Sequence, residues 1–225
     1  MNIGRQDACI PAQSDGLITM LKFMRKNTTA VGESGNSGFT LVEVIIVTTI
    51  VVVVASIGIP TLLTITRNLR TGGDARDLNG AIVLAKMRAA SDFARARVYA
   101  DLSANTFRVE IYPSGATGWT AEGGTTSLSQ GVTFGYGSLT SAPAGMASLS
   151  QAAPCLQNDL ATTTANTACI MFNSRGIPVD SSWAPTPLDA LYVTDGMSIT
   201  GVTVVVTGLT KIWRTDASGA TWYQY

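Results

Sequence analysis

Histidine is absent from all 225 residues, which removes the commonest general base and the commonest metal ligand together. Charged side chains are scarce, at 13% of the chain, and 15 basic groups cancel 15 acidic ones. Bulk attraction to nucleic acid or to an anionic surface therefore has no source in net charge. The glycine pairs Gly72-Gly73 and Gly123-Gly124 lack the Lys-Ser or Lys-Thr that a phosphate-binding loop requires. Lys86 and Lys211 lie in helix-like and strand-like patterns with no nucleophile motif around them, and Asp180, Asp189 and Asp195 match no EF-hand spacing. No catalytic residue, metal site or cofactor is expected, and the chain does not read as an enzyme. Cysteine is rare too, with only Cys9, Cys155 and Cys169.

What the sequence has in abundance is apolar length. From Phe39 to Ile59, 21 residues, Glu43 is the single charge. At about 1.5 Å per residue this run makes about 31 Å of helix, enough to cross a bilayer core. A buried core helix is the other reading, and the β-branched run Val51-Val52-Val53-Val54 inside so long a stretch argues against it. An ionisable group in a spanning helix costs about 2.5–3.5 kcal/mol at the centre and less near an end, so Glu43 needs a partner.

At Gly38-Phe39-Thr40-Leu41-Val42-Glu43 and the run that follows, the sequence resembles the type IV pilins and the type II secretion pseudopilins. Their precursors carry a Gly, then Phe-Thr-Leu-Val-Glu, then an apolar helix. The resemblance implies that a prepilin peptidase cuts between Gly38 and Phe39, that the new amine of Phe39 is N-methylated, and that Glu43 serves subunit assembly. It also implies that Pro60, placed where many members have a proline, kinks the helix. The implied partners are the peptidase, other pilin or pseudopilin subunits and an inner-membrane assembly platform. The implied location is the bacterial inner membrane, crossed once, with the C-terminal domain in the periplasm, and later the assembled filament.

Residues 1–38 are then a leader, 39–60 the transmembrane and assembly helix, 61–95 its amphipathic continuation and 96–225 a β-rich periplasmic domain. The leader departs from the family pattern in being long and in having Glu33 and no base just before Gly38. A start at Met20 or Met24 gives 19 or 15 residues and keeps Arg25 and Lys26. Removing residues 1–38 takes away Arg5, Lys22, Arg25, Lys26, Asp7, Asp15 and Glu33, leaving 11 basic and 12 acidic groups over 187 residues. An ordinary secretory signal cut after Val53-Val54-Ala55 is the competing reading. The positive-inside rule gives no orientation, because Lys22, Arg25 and Lys26 before the run are matched by Arg67, Arg70 and Arg76 after it. Cys9 leaves with the leader. A disulfide between Cys155 and Cys169 fits an oxidising periplasm; two separate buried thiols are the alternative, since Cys169 lies in an apolar strand-like run.

Beyond Pro60 the helical pattern is expected to break at Gly72-Gly73 and resume after Asp74 as an N-cap. Leu78, Ile82, Ala85, Ala89 and Phe93 then recur at helical spacing and form the face that packs on a sheet. Arg76, Lys86, Arg88, Arg95 and Arg97 lie opposite with Asp77 and Asp92, and Asp92 is spaced for local ion pairs with Arg88 and Arg95. Strands are expected at 97–102 and 106–112, joined as a hairpin, then at 132–136, 168–172, 190–194, 202–207, 209–214 and 221–225. Residues 137–167, mostly Ala, Ser, Thr, Gly and Pro, read as a long surface loop with Cys155 near its middle. Ile170-Met171-Phe172-Asn173-Ser174-Arg175-Gly176, Ala190-Leu191-Tyr192-Val193 and 202–208 resemble the strands of H-type pseudopilins and FimT/FimU-like minor pilins.

The fold class expected is α+β, a long N-terminal hydrophobic helix packed on a C-terminal antiparallel β-sheet domain. The function expected is a structural subunit of a type II secretion pseudopilus or type IV pilus. One alternative is a DNA-binding minor pilin in natural transformation, for which Trp213, Trp222, Tyr223 and Tyr225 beside Lys211 and Arg214 offer stacking groups. From Arg108 onward, however, four bases face seven acids, so nucleic acid is not favoured. An unrelated membrane-anchored periplasmic binding domain is the remaining alternative.

Overall fold

This computed structural model describes residues 38–186, 188–219 and 221–225; the expected leader lies outside them except for Gly38. Among the described residues one helix, α1 (Leu41–Ser91), is followed by ten strands: β1 (Arg95–Asp101), β2 (Thr106–Tyr112), β3 (Thr120–Ser127), β4 (Thr133–Phe134), β5 (Thr167–Phe172), β6 (Pro178–Val179), β7 (Leu188–Thr194), β8 (Ser198–Val205), β9 (Thr210–Asp216) and β10 (Tyr223–Gln224). Two compact units divide the chain, one ending at Ala55 and one running from Ser56 to Tyr225. In the second unit the strands form two antiparallel sheets, ordered β3-β2-β1-β5-β6 and β10-β9-β8-β7-β4.

Both sheets turn one face to α1. Ala96, Val98 and Ala100 of β1, Phe107 and Val109 of β2 and Ala168, Ile170 and Phe172 of β5 meet Leu191 and Val193 of β7 and Val202 and Val204 of β8 in one core with Ala75, Leu78, Ile82, Ala85 and Ala89 of the helix. The alternation of each strand selects these residues, and the expected helical stripe supplies the rest. Phe93 does not join it: α1 ends at Ser91, the chain turns with Phe93 at φ 49°, and its ring is 79% exposed. The helical part of the expected 61–95 segment thus stops four residues early, and Arg95 and Arg97 belong to β1.

The expected joint at Gly72-Gly73 is also absent, because α1 runs through both glycines. Two interior glycines cost a helix about 1 kcal/mol each, a deficit offset here by tertiary packing of the turns on either side. Asp74, instead of capping a new helix, is buried and accepts from the Ser129 backbone N–H at 3.0 Å and hydroxyl at 2.8 Å. Burial raises its pKa above the ordinary carboxylate value, although the Ser129 hydrogen bonds pull the other way. The ion pairs expected around Asp92 are replaced by others. Arg88 pairs with Glu122 of β3, and Asp92 accepts from Ser91 at 3.0 Å.

Most expected strands are found, with shifted ends. The hairpin pairs Arg95↔Tyr112 through Asp101↔Thr106. β8 starts earlier than 202, the expected 132–136 shrinks to β4, and 221–225 shrinks to β10. β3 and β6 were not expected. β3, Thr-Ala-Glu-Gly-Gly-Thr-Thr-Ser, has neither alternation nor apolar content and is almost wholly exposed; its pairing with β2 alone makes it a strand, with an irregularity opposite Arg108.

Of the segment 137–167 only Thr167 belongs to a strand, β5, among the described residues, yet the segment is more than a surface loop. Tyr136, Leu139, Met146 and Leu149 pack on Ala190, Tyr192 and Ile199, on the outer face of the second sheet. Cys155 and Leu156 pack with Cys169, Met171 and Val179 on the outer face of the first. Between these patches the chain joins the sheets. Gln151 exchanges hydrogen bonds with the Tyr192 backbone at 2.8 and 2.9 Å, Ala152 N–H donates to Ala190 C=O at 2.7 Å, and Cys169 N–H donates to Ala153 C=O at 2.8 Å.

The outer face of the first sheet also holds a buried charge cluster. Arg97 donates to Oε2 of Glu110 through Nε and Nη2, both at 2.6 Å, and Arg108 donates to Oε1 through Nε and Nη2, both at 2.7 Å. Arg97 also donates to the Leu156 carbonyl and lies 3.9 Å from the Trp119 ring centroid. Two guanidiniums sharing one carboxylate, with aromatic faces beside them, satisfy charges that would be costly unpaired. Burial holds the Arg97 pKa below its usual value even against the Glu110 charge.

A close approach of another kind occurs at Gly201, which pairs with Tyr192 across β7 and β8. A Cβ there would sit 2.5 Å from Tyr192 Cε1 and 2.6 Å from Cδ1, and the ring is fully buried against Tyr136 and Trp222. Gly201→Ala is expected to lower stability by about 1–3 kcal/mol through overpacking. Gly80→Ala, in the interior of α1 with no atom within 4 Å of the added carbon, is expected to raise it by about 1 kcal/mol. Denaturant midpoints of the two variants check both signs.

Candidate functional site

The residues singled out in the sequence fall into two places. Gly38, Phe39 and Glu43 lie at the start of α1, and Cys155 and Cys169 lie in the globular unit. At the helix start Thr40 acts as N-cap: its hydroxyl accepts from the Glu43 backbone N–H at 3.2 Å, and its carbonyl accepts from Val44 N–H at 3.2 Å. Thr-x-x-Glu is a capping-box pattern, legible in the sequence but overlooked beside the pilin resemblance. It places the Glu43 carboxylate in the first helical turn, where the helix dipole favours negative charge.

Every residue from Gly38 to Val54 is exposed, including Phe39 at 79%. Such a continuous apolar surface is foreign to water and suited to lipid or to other helices of the same kind. The few hydroxyls in the run turn inward to their own backbone. Thr48 donates to Val44 and Ile45 carbonyls at 2.9 and 3.0 Å, Thr49 to Ile45 at 2.7 Å, and Thr61 to Ile57 at 3.0 Å. This back-bonding leaves no side-chain donor of those threonines in need of water. Glu43 is the single acidic or basic residue on this surface. Among the described residues no atom lies within 4 Å of a Cβ built at Gly38, so its glycine answers no packing demand there. The helix assignment continues through Pro60.

In the globular unit Cys155 and Cys169 form a disulfide with Cα atoms 4.9 Å apart, so they are not separate buried thiols. The bond fixes the end of the joining segment to β5, beside the Cys155 N–H that donates to Thr167 Oγ1 at 2.9 Å.

The aromatic tail is divided. Trp213 is buried, with Nε1 donating to Thr203 at 3.0 Å, and Trp222 packs against Tyr192 and donates to the Ser141 carbonyl at 2.8 Å. Tyr223 and Tyr225 are exposed, so two of the four rings are committed to packing. The three aspartates considered as cation ligands are otherwise employed. Asp180 and Asp195 accept hydrogen bonds from their own turns. Burial, reinforced by the Asp180 charge, pushes Asp189 up to about 7. Among the described residues no group of three His, Cys, Asp or Glu side chains is placed to hold a metal.

The combination defines a class: a β-rich globular unit continuous in chain with a lipid-suited helix that carries one acidic residue in its first turn. Residues 34–59 match the family described as the prokaryotic N-terminal methylation motif. That match covers the start of α1 and the residues just before it. Among solved structures, the chain is similar to the minor pseudopilin EpsH from the Type 2 Secretion System of Vibrio cholerae, at 14% identity and a TM-score of 0.39, over 64% of this chain and 94% of that one. That likeness is too loose to add to the motif. No curated protein matches the chain.

The disulfide carries a direct expectation. Closing a loop with a sequence separation of 14 stabilises by about 3 kcal/mol in the chain-entropy model. Replacing Cys155 and Cys169 together by serine should therefore lower stability by about that amount and speed amide exchange at Ala152 and Cys169, whose N–H groups hold the sheets together. Urea unfolding with hydrogen exchange measures both.

Proposed function

We propose that this protein is a structural subunit, a pseudopilin or minor pilin, of a type II secretion pseudopilus or type IV pilus. The observation that carries this reading is the methylation motif lying on a helix whose exposed apolar surface bears a single charge, Glu43. A prepilin peptidase cleaves after Gly38, the amine of Phe39 is methylated, and the helix waits in the inner membrane with the globular unit on the periplasmic side.

Glu43 lies four residues from Phe39, about 6 Å along the helix. The cleaved chain carries a cationic amine on Phe39, and when a subunit enters the filament that amine pairs with Glu43 of a neighbour inside the bundle of apolar helices. In such surroundings both the attraction and the cost of an unpaired charge are large. The pair therefore sets the axial register between subunits, because any other register leaves two ions without partners. Apolar contact between helices supplies adhesion but no such selection.

Two experiments test this. Mass spectrometry of protein from the membrane is expected to find a methylated Phe39 as first residue, and Gly38→Val is expected to block cleavage; a first residue near Ser56 would identify an ordinary secretory signal instead. Glu43→Ala is expected to leave insertion and cleavage intact while preventing efficient incorporation, and Glu43→Gln to impair incorporation too, since an amide carries no charge. Crosslinking between neighbouring subunits in cells reads incorporation, and wild-type levels for Glu43→Ala would sink the mechanism.

A further inference from the structure

The arginines that follow the apolar run have no role in the reading above. Arg67 Nη1 lies 3.7 Å from Met197 Sδ, and Arg70 Nη1 donates to the Gln130 carbonyl at 3.3 Å. Arg214, from β9, donates to Asn68 Oδ1 at 2.6 Å and to the Tyr225 hydroxyl at 3.1 Å. All of these partners are neutral. The ion pairs among the described residues engage Arg88, Arg97 and Arg108 and none of these three. Asp195 lines the same cavity of about 490 Å³ as Arg67 and Arg70; its Oδ1 accepts from the Met197 and Ser198 N–H groups at 2.9 and 2.7 Å, while Oδ2 is buried without a hydrogen-bond partner, so it is an acidic neighbour that forms none of the ion pairs seen among the described residues.

Position on the helix matters as much as charge. Each residue turns α1 by about 100°, so Arg67 and Arg70 lie about 60° apart, and Asn68, which holds Arg214, lies about 100° to the other side of Arg67. The three guanidiniums thus flank the helix on both sides at one level. Around them Leu62, Leu63, Ile65, Leu69, Met197 and Tyr225 are exposed. Cations with neutral partners, exposed aliphatic side chains and a tyrosine together make the composition of a surface that lies in a lipid headgroup layer. Arg67 follows Ile59 by eight residues, about 12 Å of helix, a distance that a long arginine side chain can partly bridge by snorkelling.

We propose that Arg67, Arg70 and Arg214 form a collar that binds the phosphate groups of anionic phospholipids in the leaflet from which the chain emerges, seating the globular unit on the membrane before assembly. The proposal rests on the membrane-spanning reading of Phe39–Ile59. Anionic lipid is favoured over other phosphate sources because the collar is continuous in chain with that apolar segment and rimmed by exposed apolar side chains, which free phosphate and nucleic acid do not use.

The test reconstitutes the full chain in nanodiscs of equal phosphatidylcholine and phosphatidylglycerol and counts retained lipids by native mass spectrometry. Phosphatidylglycerol is expected to be preferred. Arg67→Gln, Arg70→Gln and Arg214→Gln are each expected to reduce the preference about fivefold, and the triple variant to abolish it. Arg175→Gln, in the exposed turn after β5, is expected to leave it unchanged. Thermal melts monitor folding, and the single variants at the exposed Arg67 and Arg70 carry the comparison if the triple variant melts early. Equal retention of both lipids by the wild-type chain, or a preference kept by the folded triple variant, overturns the proposal. So does displacement of phosphatidylglycerol by millimolar inorganic phosphate, which assigns a free anion, or preferential capture of a DNA duplex, which assigns nucleic acid. Carbonate extraction from phosphatidylcholine vesicles separates the two readings: a chain that is extracted refutes the span and the collar together, whereas one that resists extraction and lacks the lipid preference refutes the collar alone.

Discussion

The globular unit depends on one burial event, the packing of a narrow stripe of α1 against two sheets at once. Ala75 on one side and Ala85 and Ala89 on the other flank Leu78 and Ile82 along it, and the alanines let the sheets approach the helix backbone. Residues of both sheets join the stripe in one core, so the stripe sets where both lie. The continuity of the helix through Gly72 and Gly73 follows from the same event. Thr71, Asp74, Ala75 and Leu78 are buried on either side of the pair, and packing of that kind outweighs the poor propensity of two glycines.

A second layer secures the arrangement from outside. Lys86 Nζ donates to the carbonyls of Thr207 and Gly208 at 3.2 and 3.1 Å, tying the β8–β9 turn to the helix. Gly208 has φ 71°, and a Cβ there would lie 2.9 Å from that ammonium, so glycine serves both the turn and the approach. On the far faces, the stretch between β4 and β5 covers one sheet with Leu139, Met146 and Leu149 and the other with Cys155 and Leu156. Its small residues give little hydrophobic area of their own but fit closely against the strands.

The sequence made some of this legible and hid the rest for identifiable reasons. The helix stripe, the β1–β2 hairpin and the apolar β5, β7 and β8 stood out because their burial is written as periodicity. The Gly-Phe-Thr-Leu-Val-Glu stretch stood out because no packing requirement produces it. β3 left no mark, since its exposed side chains do not determine its conformation; the backbone of β2 does. The stretch from 137 to 167 read as surface because Ala, Ser and Thr are common there, whereas its contacts depend on what the strands present to it. Arg97 reads from the sequence as part of the polar helix face and Glu110 only as one of the acids of the tail; the Leu156 carbonyl of the covering loop and Trp119 of the β2–β3 connection turn them into a buried pair. The end of α1 was misplaced because Phe93 continues the spacing after the chain has already turned.

The central position of β1 has a kinetic consequence. One edge of β1 pairs with β2 across a short turn, but the other pairs with β5, Val98 opposite Ile170, a closure of roughly seventy residues that local contacts cannot hasten. While the chain is being synthesised from its N-terminal end, the hairpin is available early and carries an open edge of apolar strand until β5 arrives. That interval is when strand-to-strand association with another emerging chain is most open. Nascent copies therefore benefit from being kept apart until the last third of each has been made.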